Sequence, residues 1–158
     1  MNRLPVSAAA LVAACALSGC GREASPTGPS GSNSFLVGTW RGTATIQVDP
    51  RSPNPPPPTS GEMTWTFEVV PQTNLQTFQT TIQSQNTWLP ITLTMSTAMI
   101  PGNTPPAQIS TQGEYDSPRG CRATFASFGN ADTNRIQADV TGVDCPVPFT
   151  GTVTLTKN

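Results

Sequence analysis

Histidine is absent from all 158 residues, and lysine occurs once, at Lys157. Without imidazole there is no Ser–His or Cys–His nucleophile pair, and both the commonest general base and the commonest metal ligand are missing. A Ser–Lys arrangement would have to use Lys157, next to the last residue. Charged residues make up only 11%, against roughly 25% in an average soluble domain. The net charge is −1, so no basic footprint exists to neutralise phosphates and a nucleic-acid partner is excluded. There is no Gly-rich phosphate loop and no cysteine–histidine cluster, so neither a cofactor nor a metal is expected. The carboxylate pairs Glu62/Glu68 and Glu114/Asp116 read as solvated surface acids. The oxygen-rich stretch Gly129–Asn134 lacks the spacing and closing Glu of an EF-hand and reads as a turn. These absences point away from an enzyme. Long hydrophobic runs are also scarce, the longest being Leu4–Leu17, and no helical period follows residue 20.

What is present begins with an address. Arg3 supplies a short basic start, and the apolar stretch Leu4–Leu17 is too short for a comfortable membrane span but fits the core of a signal peptide. It ends in Leu17-Ser18-Gly19-Cys20. This segment resembles the lipobox of bacterial lipoproteins: a Leu, two small residues, then Cys. The resemblance implies that Cys20 receives a diacylglyceryl thioether, that residues 1–19 are cut away as the signal peptide, and that the new amino terminus is acylated. Several acyl chains on one Cys give stable anchoring where one chain would not. The alternative is an ordinary secretory signal with an incidental Cys20. Gly21 is not the Asp that holds proteobacterial lipoproteins in the inner membrane, so the same resemblance implies a cell-envelope protein, in the outer membrane if that sorting rule applies.

Residues 20–34 form the lipidated Cys and a tether. The segment 21–34, GREASPTGPSGSNS, has no large apolar side chain and cannot offset its ordering entropy, so disorder is expected. From residue 35 to 158 the pattern is strand after strand. Many of the chain's twenty-four Thr residues alternate here with apolar ones at a period of two. Trp40, Gly42, Ala44, Ile46 and Val48 share a face. Met63, Trp65, Phe67 and Val69 share another, as do Leu89, Ile91, Leu93 and Met95. Eight such segments are predicted, over 39–48, 62–70, 75–84, 88–96, 107–115, 121–128, 135–142 and 149–157. Each has one core face and one wet face. The pattern predicts an all-β domain, an eight-stranded antiparallel up-and-down barrel, with a two-sheet β-sandwich as the alternative. Two connections are long. One runs from Asp49 to Gly61 and holds the stiff polyproline run Pro55–Pro58. The other runs from Thr97 to Pro106 and carries Met99 and Ile100. Loops of this length are usually functional or disordered.

Cys121 and Cys145 remain after the signal and lipid cysteines are set aside. Export places them in an oxidising compartment. One opens a strand and the other follows the neighbouring strand, so a hairpin turning near Asn130–Asn134 would bring them together as a disulfide.

The segment Phe35-Leu36-Val37-Gly38-Thr39-Trp40-Arg41-Gly42 is similar to the opening Gly-x-Trp segment of lipocalins. The resemblance implies that Trp40 plugs one end of the barrel and that the long loop after the first strand borders the other. No Arg stands on the last strand to stack on Trp40, and Lys157 is the available substitute. No Thr-Asp-Tyr segment is found in the later strands. Trp40, Trp65, Phe67, Leu93 and Phe125 then either line a ligand cavity or pack a solid core. The inward Gly42, Gly113, Gly142 and Gly151 either leave space or let rings lie against backbone. Two functional readings follow. One is a membrane-anchored, non-catalytic module holding a small apolar ligand. The other is a filled barrel whose loops meet a protein partner, as inhibitors and assembly factors do.

Overall fold

In the computed structural model, residues 35–70, 77–100 and 105–158 are described. The signal peptide, Cys20 and the tether lie outside these residues. Eight strands follow one another along the chain: β1 (Gly38–Val48), β2 (Thr59–Val69), β3 (Thr77–Ser84), β4 (Thr92–Met99), β5 (Ala107–Asp116), β6 (Arg122–Ala131), β7 (Arg135–Asp144) and β8 (Val147–Lys157). They pair antiparallel in sequence order, and β8 returns to β1, closing a barrel. Closure removes the free edges that flat, Thr-rich strands would otherwise present. The barrel expectation is met, and the sandwich is set aside.

Alternation in the sequence becomes inside and outside in the barrel. In β4 every second residue, Leu93, Met95, Thr97 and Met99, is buried, and its neighbours are exposed. Full burial of one large apolar side chain contributes roughly 1.5–3 kcal/mol, and more than twenty apolar residues form a single interior cluster. Two expectations need correction. The fourth strand covers 92–99 rather than 88–96, because residues 86–90 leave the ladder, while the Ile91 carbonyl still accepts from the Ser84 N–H and the Gln85 N–H donates to the Glu62 carbonyl. Met99, expected in a loop, is a core residue at the end of β4 and is 3% exposed. Its place on the inward face of the alternation outweighs the nearby prolines.

The chain enters the barrel at Gly38, whose φ of +117° suits glycine and few other residues. That bend turns Phe35–Val37 under the barrel floor. Leu36 is fully buried, and its carbonyl accepts a 2.8 Å hydrogen bond from the Trp40 indole N–H. The floor end also holds the β6–β7 turn and the chain's C-terminus. The β1–β2, β3–β4, β5–β6 and β7–β8 connections lie at the opposite end, called the mouth below.

Candidate functional site: the barrel interior and its mouth

Into the interior β2, β3 and β4 send Met63, Trp65, Phe67, Phe78, Ile82, Leu93 and Met95. β5 to β8 mix large side chains, among them Ile109, Phe125, Ile136, Phe149 and Leu155, with small ones such as Ala107, Thr111, Ala123, Ser127, Ala131 and Ala138. Trp40, Trp65, Phe67, Leu93 and Phe125 are all buried in the one cluster. Trp40 and Trp65 are register partners on adjacent strands. Trp65 meets Phe67 edge-on at 6.0 Å, and Phe67 meets Phe78 at 6.4 Å. Such edge contacts add about 0.5–1.5 kcal/mol beyond burial. The inward glycines are met by their neighbours. A Cβ at Gly142 would stand 2.5 Å from the Phe149 ring, and one at Gly113 would stand 3.0 Å from Met95. At these positions glycine lets side chains lie against backbone.

Polar groups cross the interior as well. Thr97 lies between Thr80 and Thr111, with hydroxyl–hydroxyl distances of 2.6 and 2.7 Å, and all three residues are fully buried. Ser127, on the next strand, is the register partner of Thr111. Among the described residues its hydroxyl has no hydrogen-bond partner, nor do the Trp65 indole N–H and the Tyr115 hydroxyl, all three buried. Leaving a buried polar group unpaired costs about 1–3 kcal/mol. In a closed ring of eight, β2 and β6 stand on opposite walls, so Trp65 and Ser127 present their polar atoms from opposite sides.

The mouth is closed by the β3–β4 segment. Leu89 and Ile91 are buried there, and Trp88 packs its ring 5.3 Å from Phe149. Asn86, fully buried, shapes the segment: its side-chain oxygen accepts from the Trp88 and Leu89 N–H groups and from the Thr59 hydroxyl, while its amide donates to the Thr59 carbonyl. Arg119, in the β5–β6 loop, latches this lid. One guanidinium nitrogen donates to the buried Asp144 carboxylate at 3.0 Å and the other to the Trp88 carbonyl at 2.9 Å, with the guanidinium 4.5 Å from the Trp88 ring centre. The latch spans the β4–β5 seam, whose ladder pairs only Ser96–Met99 with Ile109–Gln112. The Cys121–Cys145 disulfide forms as expected, with a Cα separation of 5.5 Å, and ties the β5–β6 loop to the residue after Asp144. Its sulfurs are therefore spent and are not offered to a metal with Asp144. Tyr115 sits near the same pair. Burial chiefly, and then the Asp144 charge, raise its pKa, while Arg119 lowers it by less. Its hydroxyl therefore stays protonated and able to donate.

The proline loop lies at the same end, where Pro55–Pro58 are exposed, whereas the β3–β4 segment buries Asn86, Leu89 and Ile91. Grooves also mark the outer wall. One is bordered by Gln112, Thr124, Thr141, Val143 and Pro148, with Gly113 and Gly142 at its base. Glu114 and Asp116 hold Arg122 at 3.0 and 2.9 Å on the exposed face.

No protein-family model matches the chain, and no curated protein matches it. Solved structures do. A redesigned β-barrel, mFAP1, bound to DFHBI superposes with a TM-score of 0.52 at 15% identity, over 80% of this chain and 98% of that one. A second redesigned barrel, b11L5F_LGL, reaches a TM-score of 0.42 at 17% identity, over 80% and 95%. At 15% identity the first likeness speaks for fold alone.

The apolar interior residues and both cysteines were legible from alternation and export. Asn86, Arg119, Asp144, Tyr115 and the hydroxyl row were not singled out. A Thr or Ser in an inward position of a strand, as at 80, 97, 111 and 127, is the signal that was available.

Proposed function

We propose that the chain is a membrane-anchored lipoprotein of the bacterial cell envelope whose barrel is a non-catalytic binding module for a small, largely apolar ligand. The observation that carries this is the set of buried polar atoms, at Trp65, Tyr115 and Ser127, that have no hydrogen-bond partner among the described residues, inside a largely apolar barrel. A ligand that is apolar over most of its surface, with a few polar atoms, satisfies both features. The Arg119-latched lid over the mouth gives such a ligand a route that opens without breaking the barrel wall. The lipid on Cys20 and the tether would hold the module near the membrane.

Native mass spectrometry of the purified full-length protein tests the reading. A retained small molecule, or saturable binding of an apolar fluorescent probe, is expected. A protein of bare mass that takes up no probe overturns it.

The filled-barrel reading has its own observation. Phe128 and Val143 are 53% and 41% exposed on the outer wall of β6 and β7. A bare-mass protein that captures an envelope protein through this wall would favour it.

A further inference from the structure

We infer that the interior ligand is uncharged and carries a hydrogen-bond-accepting oxygen, and that Thr111 and Ser127 form the subsite that receives it. This rests on the binding-module reading and names the chemistry of its ligand.

The argument starts with counting protons. Thr80, Thr97 and Thr111 have three hydroxyl protons and two hydrogen bonds between them. A hydroxyl donates once, so in every arrangement one proton is left over. Thr97 is flanked on both sides, which puts the spare donor at Thr111 when the row runs from Thr80 toward β5. Ser127 adds a second donor with no partner among the described residues, at 4% exposure. The two residues face each other across the β5–β6 ladder, and side chains so paired stand about 4.5–5.5 Å apart at Cβ. One carbonyl oxygen, with two lone pairs, can accept from both. Across the barrel the Trp65 indole can only donate, so a second acceptor would suit it.

Charge is decided by what the interior lacks. Among the described buried residues the charged one is Asp144, at the mouth, already bonded to Arg119. A carboxylate or ammonium ligand at mid-barrel would be desolvated without a counter-charge, which costs several kcal/mol. A neutral ketone, ester, amide or quinone-type oxygen avoids that cost.

Two neutral dyes and two variants test this in the full-length protein. Prodan carries a ketone whose emission shifts to the red when it accepts hydrogen bonds, whereas diphenylhexatriene is a hydrocarbon without an acceptor. Ser127→Ala removes a hydroxyl that has no partner among the described residues, so the fold is retained. Ser127→Thr keeps the hydroxyl. Ser127→Ala is expected to weaken Prodan binding roughly five- to tenfold, as loss of one hydrogen bond does, and to shift its bound emission to the blue. Ser127→Thr should restore both, and diphenylhexatriene should bind all three proteins alike. If both dyes bind and Prodan ignores Ser127→Ala, the subsite is wrong while the binding module stands; a resident water at Thr111 and Ser127 gives that result. An equal loss for both dyes also overturns the subsite, since it marks a packing effect. If neither dye binds the unaltered protein, the binding module fails and the subsite falls with it.

Discussion

The Lys157 ammonium stands 5.3 Å from the centre of the Trp40 ring and donates a hydrogen bond to the Phe35 carbonyl. One side chain from the end of the last strand therefore fastens both the indole that plugs the floor and the turn that passes beneath it. It is the chain's single lysine. Lys157→Met keeps the apolar stem and removes the charge and the donor. It should cost about 0.5–1 kcal/mol for the cation–π contact, with a similar amount for the hydrogen bond, read as a lower midpoint in urea denaturation. Lys157→Arg should recover most of the loss.

The disulfide should matter more than any surface contact. Cys121 and Cys145 are 24 positions apart. Closing a loop of that length stabilises by roughly 3.5 kcal/mol in the chain-entropy model. Peptide mapping without reduction should recover the linked pair, and a reducing agent should lower the melting temperature sharply. Two freely alkylated thiols in the unreduced protein would contradict the geometry.

Why the barrel was legible and its mouth was not has a physical cause. A residue such as Ile82 or Leu155 reports its burial through its neighbours in sequence, because alternate positions face opposite sides of the wall. Residues 88–91 carried the same apolar alternation, as Trp88, Leu89 and Ile91, and so read as strand. What lifts them off the ladder is Asn86, whose side chain takes over hydrogen bonds that a β-ladder would supply. That arrangement depends on Thr59, 27 positions away, and no local pattern announces it. Arg119 and Asp144 are likewise joined by the β5–β6 and β6–β7 pairings and by the disulfide beside them. The hydroxyl row lay in plain view as inward Thr and Ser, hidden among many Thr residues that face water.

Tyr115 is the chain's single tyrosine, so tyrosinate absorbance reports on it alone. Burial and the nearby Asp144 hold its pKa above the ordinary value in the folded protein. Unfolded, it ionises near pH 10. The protonated phenol thus favours the fold fully below about pH 10, and that contribution is lost as pH rises beyond it. Stability should fall above pH 10, and tyrosinate should appear together with unfolding rather than before it. Tyr115→Phe should flatten this part of the profile. It should cost little at pH 7, because the hydroxyl has no partner among the described residues. Reversible ionisation near pH 10 in a folded protein would show that the phenol is solvated.

The anchor is tested at Cys20. Cys20→Ser should abolish incorporation of labelled fatty acid and leave the signal peptide uncut by the lipoprotein peptidase. A variant that still takes up label and fractionates with membranes would refute the lipobox reading. Because the barrel closes on itself from residue 38 onward, the change should leave its melting temperature as it was.

The proline loop and the lid sit at the same end of the barrel, and the structure separates their roles. Residues 53–58 are exposed throughout, and the β1–β2 ladder resumes at Thr59, paired with Ile46. The near end of the loop is pinned by Asp49, whose N–H donates to the Pro148 carbonyl and whose carboxylate accepts from the Arg51 N–H. Replacing residues 52–58 by a short Gly–Ser turn removes no core side chain, so the melting temperature should hold. Thr59 must be kept, since its hydroxyl and carbonyl both engage Asn86. Asn86→Ala, by contrast, strands the lid's N–H groups and should cost about 2–4 kcal/mol. If the mouth is the route to the interior, loosening the lid should also speed probe exchange, whereas shortening the loop should alter exchange only through whatever shelter its stiff polyproline run provides. Stopped-flow release of a bound apolar probe measures both. Faster release from Asn86→Ala with unchanged release from the shortened protein would place the gate at Trp88 and Arg119. A large loss of stability on shortening would mean that the loop supports the wall after all.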